Sequence, residues 1–234
     1  MGSSLTSSSF VGVLLLLAGC ASDPGGLPDD SRPLEDFRHW QVESEHPDTR
    51  VSLRDGVLDI DTSAGVTVWF KHPIEGPVEI EFEATAVSAG GPNDHVSDLN
   101  VFWMATNAAG DRQAPYAKRR SGRFAEYDEL LTYYVGLGGN RNTTSRFRRY
   151  IGEPGNRPLL PAHDLSSPEA LLAPNRKQKI TLVADGAHIE YRRDGKSLFI
   201  YEDPAPYTRG WFALRSTASH LRVENLRIRR PRHR

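Results

Sequence analysis

The chain has a single cysteine, Cys20, in 234 residues. It can form no internal disulfide, and zinc sites built on paired cysteines are excluded with it. The apolar stretch Phe10–Leu17 is too short to cross a bilayer, which takes about 20 residues. Charge is nearly balanced, 29 Lys and Arg against 30 Asp and Glu for a formal net charge of −1, so no global field favours nucleic acid. Neither G-x-S-x-G nor H-E-x-x-H occurs, which lowers the serine-hydrolase and zinc-enzyme readings. Gly136-Leu137-Gly138-Gly139 lacks the third glycine of a dinucleotide fingerprint and any βαβ setting, and reads as a tight turn. No long amphipathic helix is legible.

What is present is period-two alternation. Strands are predicted at Arg50–Leu53, Val57–Asp61, Val66–Lys71, Val78–Val87, Asp98–Ala105, Leu131–Leu137, Ser145–Ile151, Gln178–Ala184, His188–Arg192, Leu198–Tyr201, Trp211–Ser216 and Leu221–Ile228. In Val78–Val87, Val78, Ile80, Phe82 and Ala84 face one way and Glu79, Glu81 and Glu83 the other. Asp55-Gly56, Asp185-Gly186 and Asp194-Gly195 are hairpin signals. A one-turn helix is expected at Pro168–Leu172 behind a Ser167 cap. Many short strands without a fixed repeat imply an all-β antiparallel sandwich. The irregular stretches Asn107–Tyr127 and Gly152–Asn175 are long enough to be functional loops.

The N-terminal run has the length of a signal-peptide core and ends in small residues. Its close, Leu17-Ala18-Gly19-Cys20, resembles the lipobox of bacterial lipoproteins, although no Lys or Arg precedes Phe10. The resemblance implies that residues 1–19 are an export signal and that Cys20 is lipidated. Residues 20–33 then form a flexible tether, 34–230 the folded domain and 231–234 a basic tail. Ala21 and Ser22 follow Cys20 where some bacteria place an inner-membrane retention Asp, which leans towards outer-membrane display. The expected location is the cell envelope, held by two acyl chains.

Three polar and aromatic blocks stand out: Gly90–Met104, Thr132–Tyr150 and Arg157–Leu165. They resemble an uncharacterised family of exported bacterial proteins with a concanavalin-A-like jelly roll, akin to domains of polysaccharide-degradation gene clusters. The resemblance implies a fold and a glycan setting, and no reaction. The Glu-X-Asp-X-X-Glu strand of jelly-roll glucanases is absent, which counts against a two-carboxylate hydrolase.

Alternation places Asp98, Asn100 and Phe102 on one face of their strand and Arg146, Arg148 and Tyr150 on one face of another. An Arg-X-Arg-X-Tyr face is poor core and good anion recognition. The competing reading pairs these arginines with Glu79, Glu81 and Glu83. Expected substrate contacts are Arg146, Arg148, Asn100, Asn140 and Asp98, with Trp103 or Trp69 stacking on a sugar if either faces the cleft. His163, beside Asp164, or His220 is the expected base, and Tyr134 or Tyr150 the proton donor. Tyr133 and Tyr134 point oppositely, so one of them faces the cleft. His95 between Asp94 and Asp98 raises a structural calcium site as the one cofactor to consider.

The function expected is a polysaccharide lyase acting on uronate-containing chains. The alternatives are a glycoside hydrolase or non-uronate lyase on the same scaffold, and a non-catalytic glycan-binding lipoprotein. The expected partners are a polysaccharide and, through Cys20, a membrane; a monomer is expected.

Overall fold

A computed structural model describes residues 1–2, 30–108 and 113–231. Cys20, the rest of the export segment and the last three residues of the basic tail lie outside the described residues. Fourteen strands are found among them. They are β1 (Asp30–Ser31), β2 (Trp40–Ser44), β3 (Arg50–Arg54), β4 (Val57–Phe70), β5 (Ile74–Glu75), β6 (Val78–Ala86) and β7 (Leu99–Asn107), followed by β8 (Leu130–Gly138), β9 (Thr144–Ile151), β10 (Asp164–Leu165), β11 (Lys177–Asp185), β12 (His188–Arg193), β13 (Lys196–Glu202) and β14 (Arg209–Arg229). Every ladder between them is antiparallel.

Two of the strands are long enough to serve both layers of a sandwich. Residues 65–70 of β4 and 211–217 of β14 belong to a first layer ordered β2-β4-β14-β7-β8-β9-β10. Residues 57–62 of β4 and 219–229 of β14 belong to a second, ordered β3-β4-β14-β6-β11-β12-β13. The passage between layers falls where the register shifts between Thr217 and Ser219, and Ala218 takes a φ of +47° there. Bulges bend strands in this way. The sequence reading split each of these strands in two, because the small residues at the bend break the alternation.

Between the layers lies the main core. Val101, Trp103, Tyr133, Val135 and Phe147 of the first layer meet Ile80, Phe82, Ile180, Leu182, Tyr191 and Phe199 of the second. Truncating one of the large aromatics to alanine would cost about 3–5 kcal/mol. The Asp-Gly hairpins form at Asp55-Gly56 and Asp194-Gly195, with both residues at positive φ; at Asp185-Gly186 only the glycine is so placed. The predicted helix is a single 3-10 turn over Pro168–Ala170, and Ser167 makes no side-chain cap.

A second, smaller cluster sits on the solvent side of the first layer. Trp69, Phe102, Tyr127, Tyr134, Tyr150 and Trp211 are buried there under Ala114, Tyr116 and Phe124. Residues 113–129 therefore fold back over the sheet and roof part of its outer face.

Candidate functional site

The part of that face left open is a cleft of about 1210 Å³. Its floor is set by strand register. Thr67, Arg215, Asn100, Gly136, Arg146 and Asp164 are successive cross-strand partners from β4 to β10. The next row holds Phe102, Tyr134 and Arg148 in register. Alternation puts all of these on the face away from the main core.

Tyr134, not Tyr133, faces the cleft. Its ring is wedged among Phe102, Phe124 and Tyr150, with centroids 5.0, 5.4 and 5.5 Å away. Its hydroxyl lies over Gly136, where an added Cβ would stand 2.7 Å from that oxygen and 3.2 Å from Asn100 Oδ1. Gly136 is thus the gap that lets the phenol reach the floor. Burial first, then the neighbouring Tyr150 and Asp98, push the Tyr134 pKa well above the ordinary phenol value, so it carries its proton at any physiological pH. Tyr133 is in the main core, donating to Asp203 at 2.6 Å.

Asp98 enters β7 with a φ of +56°. Ser97 Oγ donates to its carboxylate, and Asn100 Nδ2 donates to Oδ1 at 3.1 Å. Burial raises its pKa, against the pull of those hydrogen bonds and of Arg215. Asn100 Oδ1 is buried with no hydrogen-bond partner among the described residues.

Four arginines converge here. Arg146 is committed to Asp164, with Nε at 2.8 Å and Nη2 at 3.2 Å. Arg157 approaches Asp128 at 3.4 Å and stacks on Phe124. Arg148 donates to the carbonyl of Arg157, and Arg215 donates to Thr67 Oγ1 at 2.9 Å and the Gly122 carbonyl at 2.8 Å. Neither Arg148 nor Arg215 has a carboxylate within ion-pair distance among the described residues. Arg215 is 1 % exposed, its charge cushioned by Phe124 and Tyr127, whose ring centroids are 4.9 and 5.1 Å away. Desolvation, with Arg146 and Arg157 nearby, lowers the Arg148 pKa. Arg148 and Arg215 are thus desolvated cations hydrogen-bonded to neutral acceptors, and Asp98 is the cleft carboxylate that Arg215 acts on from beyond ion-pair distance.

The competing pairing with the β6 glutamates is ruled out by the layers. Glu79 meets Arg229 at 2.5 Å, Glu81 meets Lys179 at 2.9 Å and Glu83 meets Lys177 at 3.5 Å, all on the outside of the second layer.

Several expected site residues are elsewhere. His163 packs between the layers against Phe147, Phe199 and Tyr201, and its Nε2 pairs with the Ile200 carbonyl at 3.0 Å. Its sequence neighbour Asp164 points the opposite way, to Arg146, so no His-Asp pair forms. Trp103 is fully buried on the core side beside Tyr133 and Phe147. Trp69 is roofed over and donates to Glu43 at 2.9 Å. Tyr150 is fully buried below Tyr134 and does not line the cleft. Asn140 is at the rim, donating to Thr144 at 3.1 Å.

His220 stands behind the cleft wall formed by residues 88–98. Its Nδ1 meets Asp94 at 2.8 Å and its Nε2 meets both Asp59 oxygens at 3.2 Å. Burial opposes its protonation, but Asp94 and Asp59 outweigh that and raise its pKa. Asp94 also accepts from the backbone of Gly91 and Ala89, and its pKa falls to about 2. These are wall-building contacts. With Asp94 so engaged, the structure gathers no group of three or more His, Cys, Asp or Glu side chains for a metal among the described residues.

Arg215 and Arg157 escaped the sequence reading. Arg215 carried a usable signal, a lone charge directly after the apolar run Trp211–Leu214; Arg157 did not, because only the loop's path brings it to the cleft.

The model of a family described as a domain of unknown function, DUF6250, matches residues 60–226. The chain belongs to the DUF6250 family. That span runs from within β4 to within β14, and so contains the whole cleft floor of this DUF6250 chain. No curated protein matches it. Among solved structures, it is similar to a Bacillus subtilis protein of unknown function with a galectin-like fold, at 13 % identity and a TM-score of 0.65, over 87 % of this chain and 96 % of that one. It is also similar to the carbohydrate-binding module CBM66 of Bacillus subtilis, at 10 % identity and TM-score 0.53, over 80 % and 93 % of the two chains. A third likeness is to a protein of Parabacteroides distasonis provisionally described as a glycosyl hydrolase, at 11 % identity and TM-score 0.50, over 85 % and 91 %. At these identities the likeness is one of fold, and it agrees with the antiparallel sandwich read from the strand pattern and with the jelly roll that the family resemblance implied.

Proposed function

We propose that this DUF6250 chain is a carbohydrate-active protein that takes an acidic glycan into the cleft and cleaves it by β-elimination. The observation that carries this reading is the pair Arg148 and Arg215, buried or half-buried in the cleft without carboxylate partners. A uronate carboxylate supplies the missing anion and fits the planar guanidinium donors. The carbohydrate-binding and glycosyl-hydrolase descriptions of fold neighbours support a sugar ligand.

In the proposed reaction Asp98 takes the proton from the carbon beside the carboxylate. Its raised pKa makes it a better base than an exposed aspartate. Charge grows on the carboxylate, where Arg148, Arg215 and the Asn100 amide stabilise it. The electrons form the carbon-carbon double bond as the glycosidic carbon-oxygen bond breaks, and Tyr134 protonates the departing oxygen. Asp98 returns its proton to solvent, and Tyr134 regains one from it. Cys20 would hold the domain at the cell envelope, near such chains.

A second reading is a non-catalytic glycan binder. It is favoured by the histidines, since His163 is sequestered and His220 is locked into the wall. Incubation of the full chain with acidic and neutral polysaccharides separates the two. A lyase produces ultraviolet-absorbing unsaturated uronate ends, and a binder retards the glycan in affinity electrophoresis with no new ends. Cutting of neutral glycans alone would refute both the acidic ligand and the elimination.

A further inference from the structure

In an open groove a glycan can lie across all the strands of a sheet and leave at both sides. Here the polar row from Thr67 to Asp164 spans five inter-strand steps, about 24 Å at ~4.8 Å each, and its two ends differ. At the β9 and β10 end, Arg146 and Asp164 are roughly one-third exposed, at 31 % and 35 %, and the edge is open.

At the other end the segment 113–129 is seated directly on the sheet. A Cβ on Gly122 would stand 2.6 Å from the Glu45 backbone nitrogen and 2.8 Å from the Gly65 carbonyl. Arg215 ties Thr67 and Gly122 together from below. Tyr127 donates to Glu43 on β2 at 2.8 Å, and Tyr116 donates to the Lys71 carbonyl at 2.8 Å, so the segment is pinned at both of its flanks. Trp69, Phe102 and Ala213 lie on the solvent side of the sheet yet have no exposed surface, because this segment covers them. Beyond it, on the same face, is a separate cavity of about 1010 Å³ lined in part by Gln41, Glu43 and Arg120. The segment is a bridge that divides what would be one continuous groove.

We propose that the cleft is a blind groove that receives the end of an acidic glycan chain. The terminal carboxylated sugar lies against Arg215 and Asn100, and the chain leaves over Arg146. This rests on the acidic-glycan reading above and adds to it the mode of engagement. An internal stretch of a long chain would have to pass through the bridge to reach Arg215, whereas a chain end reaches it with the bridge in place.

The test is stoichiometry. Size-fractionated oligogalacturonates and long polygalacturonate are titrated calorimetrically into the full chain. The Tyr134→Phe variant, which keeps the ring and removes the transferable proton, is used in place of the unaltered protein so that chains stay intact. The expected result is one protein bound per glycan chain at every length, with binding lost when one of the two chain ends is chemically blocked. Protein bound in proportion to chain length, or undiminished binding when either end is blocked, overturns the blind groove while leaving the acidic-glycan reading intact. No binding of any uronate chain overturns the reading itself, and the inference with it.

Discussion

Tyr134 on β8 and Arg148 on β9 are direct cross-strand partners on the cleft floor. The register therefore sets a phenol that keeps its proton beside a guanidinium that lacks a carboxylate. The two differ in what they contribute. Replacing Arg148 with alanine removes a charged donor without touching the main core. Affinity for an acidic oligosaccharide should fall about 10- to 100-fold, from the ~1.5–3 kcal/mol of a hydrogen bond to a charged group. The melting temperature should change little, since the relieved repulsion from Arg146 and Arg157 offsets the hydrogen bond lost to the Arg157 carbonyl. Calorimetric titration and a thermal melt check both halves.

Gly136 is needed for the space it leaves, since its φ is unremarkable. A methyl group there would meet the Tyr134 hydroxyl and Asn100 Oδ1 at 2.7 and 3.2 Å. Gly136→Ala should displace the phenol and lower turnover at least as much as Tyr134→Phe does, while the far-ultraviolet spectrum stays that of the unaltered protein. A fully active alanine variant would remove Tyr134 from the chemistry.

Asp98→Asn and Tyr134→Phe should separate binding from reaction. Both keep shape and lose one proton-transfer group. Turnover should fall by about 100-fold or more, the scale of general acid-base catalysis, with binding of intact oligosaccharide changed little. For Asp98 the acid limb of the pH profile should also vanish, and a merely structural role would leave that limb in place.

The strand text made the fold and half of the cleft legible. Alternation in Arg146–Arg148–Tyr150 and in Asp98–Asn100–Phe102 put both polar faces on one side of a sheet, and the structure brings Arg146, Arg148, Asp98 and Asn100 into one cleft. Sequence proximity misled where a strand face changed between neighbours. Asp164 points to the cleft edge and His163 into the core, so adjacency in the chain produced no catalytic pair. Burial of Tyr150 and Trp69 came from outside their own strands, since the segment 113–129 covers them. β2 was missed because its alternation is carried by two strongly apolar positions, Trp40 and Val42. Those features depend on long-range packing, which period and propensity do not encode.

His220 sets a pH dependence on the wall of the cleft. Its folded-state pKa is raised by Asp94 and Asp59, so its contribution to stability is fully present below about 6.5. That contribution is lost as pH rises through the raised value. Asp94 acts in the opposite sense: its pKa is lowered from 3.8 to about 2, so its contribution holds above 3.8 and disappears as pH falls through about 2. Asp61 and Arg222 are the other charged groups at this contact. The stability advantage of the unaltered protein over His220→Gln should shrink as pH is raised through neutrality. Amide exchange in residues 88–96 should quicken over the same interval. A difference that is flat with pH would mean that the imidazole charge does no work there.

The proposed function stands or falls on whether the cleft takes an acidic sugar chain. The most direct measurement is calorimetric binding of matched acidic and neutral oligosaccharides to the full chain at two salt concentrations. The expected result is binding of the uronate oligosaccharide, weakening as salt screens the arginines, and no binding of its neutral counterpart. Equal affinity for the neutral sugar, or uronate binding that survives Arg148→Ala unchanged, would contradict it.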